Sequence, residues 1–125
     1  MSETVSQSTT GNHPNRCIAS DRVEGTRVYN RQGEKLGTIR HFMVDKKSGQ
    51  AQYAVMEFGG LLGIGAESYP LPWNMLDYDE SQGGYVVDID KDKLEGAPRH
   101  DQHTVWDDIY GQRIYSYYGF PYPYF

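Results

Sequence analysis

The densest supply of reactive side chains lies at His100-Asp-Gln-His103, with Asp107 and Asp108 a few positions further on. Imidazoles and carboxylates are the donors that zinc, nickel or calcium would use, and imidazole is also the group that titrates near neutral pH. No cysteine joins the set, and His100 and His103 do not form a convincing helical pair. The segment therefore reads as a polar linker in which His100 and His103 are weak metal candidates. No metal or other cofactor is expected, and a histidine-dependent pH response stays open.

Three further patterns invite a chemical reading and fall short of it. Gly59-Gly-Leu-Leu-Gly-Ile-Gly65 has the glycine density of a phosphate cradle, but Ala66-Glu67 follows where a P-loop needs Lys-Ser/Thr, and a carboxylate there repels phosphate. Asp88-Ile-Asp-Lys-Asp92 opens like a calcium loop, yet its sixth position would be Lys93 instead of Gly and its twelfth Arg99 instead of Glu. It reads better as an acidic strand end running into a helix N-terminus, where Asp90 and Asp92 favour the dipole. Cys17 with a distant His, or Ser48 or Ser68 with His41 and an Asp, would be nucleophile sets only if geometry assembled them. Cys17, beside Ile18, reads as a small buried hydrophobe. No catalytic residue is assigned and no enzymatic activity is expected.

The elements that must position these residues are mostly strands. Thr26–Tyr29 leads into the turn Asn30–Gly33, and a long strand over 35–45 places Leu36, Thr38, Phe42 and Val44 on one face, with Gly37 available for a bend. Lys46–Gly49 is a second hairpin turn. The next strand, 50–58, alternates Ala51, Tyr53 and Val55 against Ala54, Met56 and Phe58, so both faces are apolar and each needs a cover. Glu67–Trp73 carries Pro70 and Pro72, which cannot donate ladder hydrogen bonds and so belong at an edge or strand end. Met75–Tyr78 and Tyr85–Ile89 form a further hairpin, and Asp90–Leu94 a helical turn stopped by Gly96 and Pro98. Thr104–Tyr118 has helical spacing in Trp106, Ile109, Tyr110, Arg113 and Tyr117, with Thr104 and Asp107 as a capping-box-like start. Gly119 and Pro121 end it in an aromatic, extended tail.

Composition bounds what such a chain can do. In 125 residues there is room for one domain and a dependent extension. The net charge of −5 repels a phosphate backbone, so nucleic acid is not an expected partner. The single cysteine excludes an internal disulfide and fits a reducing compartment. No stretch approaches the roughly 20 apolar residues of a membrane helix and no secretory signal opens the chain. Cytoplasm is the expected location. Residues 1–17 read as a disordered leader, 18–98 as the folded domain, and 99–125 as a helix with an aromatic extension.

Gly25-Thr-Arg-Val-Tyr-Asn-Arg-Gln-Gly-Glu-Lys-Leu-Gly37, then Asp45–Gly49, Tyr53–Gly60 and Pro70-Leu-Pro-Trp73, in that order and spacing, resemble the PRC-barrel family. That family is named for the cytoplasmic domain of the photosynthetic reaction centre H subunit, and a relative sits in a ribosome maturation factor. The resemblance covers residues 18–98 and implies a mainly β fold: a small, strongly bent antiparallel barrel that works as an assembly or adaptor module without a family-wide catalytic site. It looks like a stand-alone bacterial member. Contact surfaces are then sought where apolar residues exceed what a small core needs: Leu61, Leu62 and Ile64 in the glycine loop, Trp73 at the barrel's end, and Trp106, Ile109, Tyr110, Tyr117, Tyr118, Phe120 and Tyr122 in the extension. The extension closes over its own barrel, crosses to a second subunit or, as a third option, stays disordered. A homodimeric interaction module is expected, with a small-ligand or metal-binding module using the His/Asp cluster after the barrel as the alternative.

Overall fold

A computed structural model describes residues 17–58 and 67–123. The leader up to residue 16 and the glycine loop with Leu61, Leu62 and Ile64 lie outside the described residues. Cys17, expected to be buried, is exposed, as is Ile18, and the first core residue is Val23. In chain order the elements are α1 (Ser20–Val23), β1 (Arg27–Asn30), β2 (Lys35–Val44), β3 (Ala51–Phe58), β4 (Glu67–Pro72), a 3-10 turn (Trp73–Met75), β5 (Asp77–Asp79), β6 (Gly84–Val87), α2 (Lys91–Glu95) and α3 (Asp108–Tyr118).

Turn chemistry fixes the strand ends. The Asn30 side chain accepts from the backbone N–H groups of Gln32 and Glu34 at 3.0 and 2.9 Å and donates to Glu34 Oε1 at 2.7 Å. Its amide is thereby satisfied although the residue is buried. At the next turn the Asp45 carboxylate accepts from the N–H groups of Lys47 and Ser48, which holds its pKa below the usual carboxylate range, chiefly through Ser48.

The strands form one sheet in the order β4-β3-β2-β1-β6-β5. All neighbours are antiparallel except β1 and β6, which run parallel. Local hairpin signals do not reveal that pairing, because it joins strands far apart in sequence. The proline-bearing β4 takes an edge, as its missing donors require. Register shifts interrupt β2 on both sides, one against β1 opposite Val28/Tyr29 and two against β3, between Ile39 and His41 and between Met43 and Val44. Simple alternation therefore fails along β2: Leu36 and Ile39 are buried, while Val44, expected inward, is exposed.

Tyr53, Ala54, Val55 and Met56 are buried in succession. Strand β3 is thus covered on both faces. Ala54 and Met56 join the main core with Val28, Leu36, Ile39, Tyr69, Leu71 and Leu94. Tyr53 belongs to a second cluster with Ile114 and Tyr115 of α3. The helix begins later than the sequence pattern suggests. Asp107 is the N-cap, its side chain accepting from Tyr110 N at 2.9 Å, whereas Thr104 is engaged in a tighter turn, its Oγ1 accepting from Asp101 N at 2.9 Å. Trp106 consequently precedes the helix. The buried face runs through Gly111, Ile114 and Tyr115, and Ile109, expected to share it, is 78% exposed.

Candidate functional site

Close approach of α3 to β3 begins at Gly111. A Cβ there would stand 2.3 Å from a Tyr122 ring carbon and 2.5 Å from the Tyr53 hydroxyl, so only glycine lets the two rings in. Around it the extension is tied to β3 by its phenols. Tyr115 Oη donates to Gln52 O at 2.6 Å, and the Gln52 amide donates to Tyr122 Oη at 3.2 Å. Tyr122 Oη in turn donates to Asp108 Oδ1 at 2.8 Å. The tail is therefore folded back along its own helix.

Where β2 and β3 reach their common hairpin and α3 starts, these parts enclose a cleft of about 270 Å³. Its walls include Tyr53 from β3, Trp106 from the approach to α3 and Tyr122 from the tail, and its rim includes Asp45, Asp107 and Asp108. Trp106 lies 5.2 Å from the Tyr53 ring centre with the planes 48° apart, and His100 covers Trp106 at 4.8 Å. Burial and the neighbouring His41 push the His100 pKa down, opposed by Asp101, so the ring resting on Trp106 stays neutral near pH 7.

The expected contact residues are divided by this geometry. Trp106, Tyr110, Tyr118, Phe120 and Tyr122 pack against the Tyr53 cluster. Tyr110 also donates from its hydroxyl to Arg99 O at 2.9 Å. Tyr117 instead binds α2, donating to Lys93 O while the Lys93 ammonium sits 4.3 Å above its ring. Trp73 packs between Phe42 and Tyr85 at the margin of the main core. Among the described members of the set Ile109 alone is exposed, joined by Val105 at 68% exposure, a residue the helical pattern passes over. His100 forms a backbone bridge to Ser68 on the outer edge of β4, and His103 is exposed. Among the described residues no group of three or more His, Cys, Asp or Glu side chains is placed to hold a metal. Asp90 caps α2 by accepting from Lys93 N at 2.8 Å, and Asp88 pairs with Arg31.

Two predictions arise from the phenols. The Tyr118 hydroxyl is buried with no hydrogen-bond partner among the described residues. An unsatisfied buried hydroxyl costs about 1–3 kcal/mol, so Tyr118→Phe is expected to leave stability unchanged or raise it by about 1 kcal/mol in urea unfolding; a clear loss would reveal a partner for that oxygen. Burial also pushes Tyr110 and Tyr115 up to about 12 and raises Tyr53 and Tyr118 still further. A raised folded-state pKa means that the native chain holds its protons longer, so this contribution is intact below the ordinary tyrosine value near 10 and is lost as pH climbs towards 12. Melting temperature should fall over that window together with a late tyrosinate absorbance step; tyrosines titrating uniformly near 10 in a folded chain would contradict it.

A family model for the PRC-barrel domain matches residues 18–94. The chain belongs to the PRC-barrel family. Among solved structures, a Pseudomonas aeruginosa chain assigned as the 16S ribosomal RNA processing protein RimM is similar, with 21% identity and a TM-score of 0.41. The match covers 65% of this chain and 49% of that one, so this chain spans about half of that protein's length. No curated protein matches. In PRC-barrel terms the matched segment ends within α2, and the whole of α3, with the walls it gives the cleft, lies beyond it. No described helix is long and apolar enough to cross a membrane.

Proposed function

We propose that the chain is a non-enzymatic protein-interaction module in which residues 18–98 form the platform and the 99–125 extension carries the contact surface. The observation that carries this reading is the division of the extension into two sides. Most of its described aromatic rings pack against the Tyr53 cluster and Tyr117 packs on α2, while Val105 and Ile109 stand exposed on either side of Trp106, Asp107 and Asp108. Covering an aliphatic side chain contributes about 1.5–3 kcal/mol, which rewards a partner at this spot. Two such residues fall well short of the roughly 800 Å² per side of a stable interface, so the contact is a transient one. A cytoplasmic setting suits the exposed, unpaired Cys17.

A homodimer through the same surface is the competing reading. It is less well supported, since the described rings of the extension up to Tyr122 are engaged in cis, and a two-fold axis here would bring Asp107 and Asp108 against their own copies. Light scattering over a wide concentration range is expected to give the monomer mass. Capture from cells that express the chain, run beside a Val105→Ser/Ile109→Ser variant of unchanged melting temperature, should then lose a discrete set of proteins in the variant. Identical captures would remove the surface from consideration, and a concentration-dependent dimer would restore the homodimer.

A further inference from the structure

We infer that the cleft beneath the start of α3 is a binding site for an organic ammonium group. Three rings from separate parts of the chain, Tyr53, Trp106 and Tyr122, wall a space of about 270 Å³. That is slightly below the ~300 Å³ at which pockets begin to take drug-sized ligands, and it suits one side chain or a small head group. Aromatic walls by themselves would accept any apolar group of that size. The charges of the lining decide the sign of the ligand: three carboxylates, of Asp45, Asp107 and Asp108, against one ammonium, that of Lys46.

The N-terminal end of α3 adds a partial positive charge of about half a unit, which leaves the cleft clearly negative. Each carboxylate is held in place by a bond of its own. Asp45 accepts from backbone N–H groups, Asp107 from Tyr110 N and Asp108 from the Tyr122 hydroxyl. The carboxylates are thereby preorganised, and the rings beside them remain neutral phenols and an indole far above neutral pH. A cation near aromatic faces gains about 0.5–2 kcal/mol from the ring quadrupoles, more when water is excluded, and the carboxylates add Coulomb attraction that a neutral molecule of the same shape does not feel. For an anion the three carboxylates outweigh the attraction of Lys46 and the helix end.

Such a group could come from a lysine on the partner protein or from a free small amine. The inference deepens the interaction reading, because the cleft lies beside Val105 and Ile109, but its test does not depend on that surface. Choline titrated into the full chain, read from the Trp106 indole N–H in two-dimensional NMR, is expected to bind with a millimolar Kd, and 3,3-dimethyl-1-butanol, its neutral isostere, at least fivefold more weakly. An Asp107→Asn/Asp108→Asn variant keeps a capping side chain at the helix start and an acceptor for Tyr122, so it should fold, and it should weaken choline binding at least tenfold. The Val105→Ser/Ile109→Ser variant should bind choline as the parent does, so a failed partner surface and a failed cleft are told apart. A capped Gly-Lys-Gly peptide binding at least tenfold tighter than butylammonium would identify a protein lysine as the source, and equal binding a free amine. Equal affinity for choline and its neutral isostere, or full choline affinity in the double-asparagine variant, would overturn the inference.

Discussion

Gly37→Ala is expected to lower the melting temperature by about 10–20 °C, the largest effect of any single methyl group in the described chain. The reason is steric and lies in the backbone. A Cβ at Gly37 would sit 2.1 Å from the carbonyl oxygen of Glu57 and 2.9 Å from Met56 Cγ. A flexible side chain could swing aside, but a strand carbonyl can retreat only if β2 and β3 part, and these two are joined by a ladder of six registered pairs. Overpacking of this kind costs about 3 kcal/mol or more. Gly33→Ala is the informative control. Gly33 has φ +85° with open space around it, so alanine there meets only the left-handed backbone cost of about 1–2 kcal/mol. A Gly37→Ala chain within 1 kcal/mol of the parent in denaturant unfolding would show that the strands can part freely. The consequence also reaches the cleft, since the same pairing brings Met43–Asp45 of the hairpin alongside Gln52 and Tyr53.

Features whose cause is local could be read in the sequence. The turns at 30–33 and 46–49 follow from short polar side chains and glycines that need no distant partner, and the edge position of β4 follows from prolines that lack donors. The doubled apolar character of β3 also announced that something must cover its second face. What alternation could not show is where a bulge reverses it, and so Leu36 and Ile39 point inward while Val44 does not. The start of α3 differs from the sequence pattern for a related reason: Thr104 has the right type for a cap, but the Asp101 N–H claims its hydroxyl first. The cleft was illegible. Its walls are joined by hydrogen bonds between residues 63 and 70 positions apart, and no local pattern distinguishes a tyrosine that packs in the core from one that lines a pocket.

Removing everything after Pro98 is the second large perturbation, and the truncated chain is expected to lose its cooperative melting transition and bind ANS. The resemblance to the family ends near that residue, which suggests a barrel able to stand alone, but the packing argues otherwise. Ile114 and Tyr115 are fully buried, and their burial together contributes about 3–6 kcal/mol against a typical total of about 5–15 kcal/mol for a domain. Truncation would also return the Tyr53 face of β3 to water, remove Arg99 from the Tyr69 hydroxyl, which its Nε reaches at 3.0 Å, and uncover the β4 edge that His100 now pairs at Ser68. An uncovered edge strand is itself a template for aggregation. Ile114→Ala in the full chain isolates the packing part of this argument and should cost about 2–5 kcal/mol. A 1–98 chain that melts cooperatively near the parent temperature without binding ANS would make the extension a mere appendage. The expected outcome makes it the second wall of the fold, so a partner gripping the start of α3 pulls on the barrel itself.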